Sequence, residues 1–76
     1  MDSIVALINI AEDLKADIAS REASVELLIS LCPRDELEAR RFRDRNGMLV
    51  MEERFIITKL KVALASLQKE MAKIKV

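Results

Sequence analysis

The chain has no histidine, tryptophan or tyrosine, and its 76 residues include one cysteine, one proline and one glycine. Each shortage excludes something. Without histidine the chain lacks the commonest metal ligand and the commonest general base near neutral pH. A lone Cys32 leaves no intrachain disulfide. One Gly and one Pro allow few tight turns, and sheets need many. Long hydrophobic runs are missing too. Uncharged stretches such as 3–11 and 27–33 fall far short of the roughly 20 apolar residues that span a bilayer core. Asp2 stands where a signal peptide would carry a base, and no small-residue cleavage site follows. With the free cysteine, this sets a cytoplasmic, membrane-free protein as the expectation.

What is present is aliphatic. Hydrophobic residues make up 51% of the chain although Phe42 and Phe55 are its only aromatics. A chain this short forms one domain and buries only about 60% of its unfolded surface. Its stability therefore calls for a disulfide, a metal or a partner chain, and the composition offers only the partner.

Net charge is zero but unevenly placed. Residues 1–39 hold nine acids and three bases, for −6; residues 40–76 hold four acids and ten bases, for +6. Halves so charged neutralise each other by packing together, or the basic half meets an anion.

Helical periodicity dominates. In residues 3–31, Ile4, Leu7, Ala11, Leu14, Ile18, Val25 and Leu28 alternate three and four apart, interrupted by Arg21. Asp2 or Ser3 can cap the start. Pro33 ends the segment and suits the first turn of the next helix. Residues 34–45 are polar except for Leu37, Ala39 and Phe42, and are laced by Glu36–Arg40, Glu38–Arg41 and Arg41–Asp44 spacings. From 48 to 75, Ile57, Leu60, Leu64, Leu67, Met71 and Ile74 form a 3-4-3-4-3 seam. Leu49, Ile56 and Ala63 line one flank of it, and Met51, Phe55 and Val62 another. Lys69, Lys73 and Lys75 suit the negative end of this helix.

Asn46-Gly47 either turns the chain or lies within one long helix. A turn there makes 3–31 and 48–75 equal antiparallel partners, with Ile4 near Ile74, Leu14 near Leu64 and Val25 near Phe55. The expected fold is therefore all-α: a single helical domain over 1–76, with helices at about 3–31 and 48–75 joined by a short polar helix at about 34–45. Two such helices own more apolar surface than they can hide. Leu27, Leu28, Leu31, Met48, Leu49, Met51, Phe55 and Ile56 are expected to form one patch at the loop end that binds a second copy or another protein.

Other candidates carry less. Arg40, Arg41, Arg43 and Arg45 around Phe42 could contact phosphates and a base, but nearby acids and the neutral chain favour a solvated helix. Cys32 has neither a base nor a resolving cysteine and reads as a small buried residue. Glu52-Glu53 are adjacent on a helix, point about 100° apart, and read as a rim near Arg54 and Lys59. Arg21 is expected to pair with Asp17 one turn back, or to fix register against a carboxylate of another chain. The expected function is a non-catalytic protein–protein interaction module of adaptor, assembly-factor, chaperone or inhibitor type, with no cofactor and no metal. It should form a homo-oligomer, most simply a two-fold dimer closing a four-helix core. A nucleic-acid accessory role through the arginines is the alternative.

Overall fold

The computed structural model describes residues 2–74, with side chains from Ser3 onward. Two helices, α1 (Asp2–Ser30) and α2 (Glu36–Ile74), form an antiparallel hairpin. No strand occurs among the described residues. The cap expected of the Asp2 side chain and the place expected for Lys75 lie outside the described residues. Ser3 sits inside α1 and does not cap it.

The expected short connecting helix does not exist as a separate element. α2 runs without interruption through Asn46-Gly47, and no described residue has a positive φ. The reason is a balance of small and large terms. Glycine in a helix interior costs about 1 kcal/mol against alanine. A break would instead create two new helix ends, each with up to four unpaired backbone groups. Asn46 adds no break either, because its amide nitrogen donates to the Phe42 carbonyl at 2.9 Å, one turn back.

The chain turns at 31–35 instead. Leu31 N–H donates to the carbonyls of Leu27 and Leu28, both at 3.2 Å, and Cys32 N–H donates to Ile29 O at 3.1 Å, closing α1. Pro33 lies in the connection rather than in the first helical turn. Asp35 caps α2: its carboxylate accepts the Glu38 N–H at 3.1 Å, and its carbonyl accepts the Ala39 N–H at 2.7 Å. Glu36 and Glu38 add negative charge at the positive end of the helix.

Length explains how α1 still reaches its expected partner. At 1.5 Å per residue α2 is about 58 Å long and α1 about 44 Å, and the molecule is a rod of 58 × 14 × 14 Å. α2 alone spans the rod. Cross-helix pairs fix the register: Arg21 reaches Glu53, Leu28 lies beside Leu49 and Val50, and Ile18 and Val25 pack on Ile57. Residue 30 thus comes level with about residue 48, and 36–47 project beyond α1. The segment 31–35 runs back along that projection, with Cys32 beside Phe42, Arg43 and Asn46. The register expected for a turn at Gly47 is kept, reached by an extended strap.

The core is thin. Ala11, Ile18, Val25, Ala39 and Ile57 are buried, and no described side chain falls below 2% exposure. Val50, Leu60 and Leu64 pack against the Ile18–Val25–Ile57 centre while remaining partly exposed.

Candidate protein interface

With the direction toward the opposite helix as reference and about 100° per residue, each helix has a contact face, two lateral flanks and an outward face. Hairpin geometry makes the two flanks continuous across both helices. On one of them, Ser24 and Leu28 of α1 meet Leu49 and Glu53 of α2. On the other, Glu22 and Glu26 meet Arg54, Thr58 and Lys61.

The first flank is apolar. Leu14 and Leu28 of α1, with Leu60, Leu67 and Met71 of α2, fall within about 80° of the contact direction on this side, and all five are half-buried. Ile10, Leu49, Ile56 and Ile74 border them and are exposed. Its polar centre is internally paired. The Arg21 guanidinium donates to both Glu53 carboxylate oxygens, at 2.9 and 3.2 Å, and to Asp17 at 3.0 Å. Hydrogen bonding to Glu53, and then to Asp17, holds the guanidinium above its ordinary pKa. A raised cation contributes its full stability at every pH below its ordinary value and loses it as pH rises through the raised one. Arg21 therefore adds no pH dependence across the neutral range.

The opposite flank is charged. Lys61 Nζ stands 3.3 Å from Glu22, and Glu26, Arg54 and Thr58 line the same groove. The outward face of α2 carries a second apolar stripe, Leu37, Met48, Met51, Phe55 and Val62, all more than half exposed. Lys59 covers part of Phe55, its ammonium 4.6 Å from the ring centre.

These faces divide the patch expected from sequence. Leu28, Leu49 and Ile56 share the apolar flank. Met48, Met51 and Phe55 point outward from α2, while Leu27 points outward from α1 on the other side of the rod; Leu31 lies past the end of α1. All eight occur at one level of the hairpin, but helical phase sends them to different surfaces. The arginines also diverge. Arg40 and Arg43 point toward the charged flank, Arg41 outward toward Glu38 at 3.4 Å, and Arg45 toward the apolar flank. Of the spacings expected to lace this segment, only Glu38–Arg41 closes among the described residues.

Arg21 takes both Asp17 and a carboxylate of the other helix, and the latter comes from its own chain. Glu53 is accordingly a cross-helix partner rather than a rim residue. The signal for it was present: Arg21 breaks an apolar stripe, and Glu53 falls four residues before Ile57 on the matching face. Cys32 is half-exposed rather than buried. No cluster of three or more His, Cys, Asp or Glu suited to a metal occurs among the described residues, and no described helix is long and apolar enough to cross a membrane. Comparison of the chain with protein-family models, with curated proteins and with solved structures gives no match.

Proposed function

We infer that the protein is a non-catalytic interaction module, adaptor-like or chaperone-like, that self-associates in the cytoplasm through apolar helical surface. One observation carries this reading: the rod exposes 6166 Å², whereas a compact protein of 8.6 kDa exposes about 4,700 Å². The radius of gyration, 17.4 Å, likewise exceeds the roughly 11 Å of a compact chain this size. Among the described residues, fourteen large hydrophobic side chains are exposed, whereas only Ile18, Val25 and Ile57 of that size are buried. Burying a side chain of this kind stabilises by about 1.5–3 kcal/mol, which gives association its driving force.

Light scattering on the purified chain across a dilution series tests the reading. The expected mass is a multiple of 8.6 kDa that falls only at low concentration, with helicity lost alongside it. A folded monomer that stays stable throughout would sink it. The divergence of Arg40, Arg41, Arg43 and Arg45 supports no comparable case for nucleic acid.

A further inference from the structure

We propose that the apolar flank seats a second copy of the chain, with the two-fold axis parallel to the rod, both connections at one end, and α1 of each copy against α2 of the other. This arrangement rests on the self-association inferred above and specifies its face and polarity.

The flank is chosen by where the apolar sector points. In a lone hairpin, each helix should centre its apolar sector on the opposite helix. Here half-buried Leu60, Leu67 and Met71 of α2 lie about 40–80° to one side of that direction, and half-buried Leu14 and Leu28 of α1 fall on the same side, the side on which a four-helix bundle adds its second layer. Leu14, Leu28, Leu60, Leu67 and Met71 are covered from one side only, and a second hairpin on the flank supplies the missing cover. The charged flank, with Glu22, Glu26, Arg54 and Lys61, offers no such seat.

Area agrees. Two separate copies expose about 4,500 Å² more than a compact protein of their combined mass would. Permanent homodimers bury about 2,000–5,000 Å². The outward stripe alone is one helix wide and cannot supply that.

The Arg21–Glu53 pair on this flank selects the polarity. A two-fold parallel to the rod places α1 over α2 at equal levels. The Arg21–Glu53 pair then meets the same pair reversed, giving a ring of alternating charge inside an otherwise apolar bundle. A perpendicular two-fold sets α1 on α1 and α2 on α2. It also strands both projections at 36–47 at opposite ends, whereas the parallel axis brings the two half-buried Phe42 rings together.

Cys32 is the only cysteine and half-exposed, so the wild-type chain can carry one spin label per copy at the connection. Pulsed dipolar spectroscopy should give a separation below about 25 Å, a bundle width, whereas opposed connections would give roughly 48 Å. The long distance in a dimer would overturn the arrangement while leaving self-association standing. A monomer by light scattering would overturn both. The adjacent pair Phe55 and Ile56, 62% and 36% exposed, tests the face. Ile56→Glu should raise the dimer dissociation constant at least a hundredfold, and Phe55→Glu should change it less than threefold. The reverse order would move the seat to the outward stripe and overturn the proposal. If Ile56→Glu fails to fold, the label distance in the unmodified chain still decides.

Discussion

The two flanks of the rod are built from the same two helices at the same levels, yet one is mostly aliphatic with a single closed ion-pair cluster and the other gathers Glu22, Glu26, Arg54 and Lys61 around one groove. Secondary structure and packing inside the hairpin do not distinguish them; only residue phase does. A helix can satisfy its own hairpin with one stripe, so a second stripe displaced to one side is surface that the hairpin itself does not cover. The contrast also separates two kinds of charge. Arg21 and Glu53 keep 34% and 29% of their side chains exposed and lie between the helices, whereas Lys61 and Glu22 keep 57% and 46%.

The comparison can be broken most severely from beneath both flanks. Ile57 is buried at the centre of the shared core, so Ile57→Ala should cost about 2–5 kcal/mol and abolish cooperative melting in circular dichroism. A paired substitution sharpens the contrast between the sides. Leu60→Glu on the apolar flank should lose about 1.5–3 kcal/mol of burial and shift light scattering toward monomer. Thr58→Glu, two residues away on the charged flank, should leave mass unchanged and stability within about 0.5 kcal/mol; equal effects would erase the distinction.

Gly47→Ala addresses the continuity of α2. A Cβ there meets nothing within 4 Å, so the change should stabilise by about 0.5–1 kcal/mol, seen as a higher melting temperature. A loss would mean that the chain turns at Gly47 after all. The smallest effect is expected at the exposed cross-helix pair, where Lys61→Ala should cost about 0.2–1 kcal/mol and fade further in high salt.

Much of the fold was legible in the sequence. The 3-4 spacing of Ile4 through Leu28 and of Ile57 through Ile74 marked two helices and their antiparallel register, because burying a stripe is a demand the whole segment shares. The turn was not legible. Asn46-Gly47 resembles a break when judged by local preference, but the penalty is about one kcal/mol and the intact hydrogen-bond ladder on either side outweighs it. Nor could composition show that 31–35 would stretch back along α2, so Leu27, Leu31 and the start of α2 received the wrong neighbours. The grouping of the candidate interface residues into surfaces was half legible. Leu49 and Ile56 separated from Met51 and Phe55 by phase alone, but joining Leu28 to the first pair and sending Leu27 away needed the orientation of α1, which Ile18 and Val25 fix only once packed on Ile57.

The strap at 31–35 measures distance more than it makes a corner. Each extended residue spans about 3.3 Å, whereas the ridges of a helix repeat every 5.4 Å. Removing one residue would draw α1 toward the projecting end by a fraction of a turn, leaving its side chains on crests instead of in hollows. Arg21 would fall out of reach of Glu53, and the lateral surface would lose its alignment while both helices stayed whole. The register of the hairpin is in this sense stored in the count of five connecting residues.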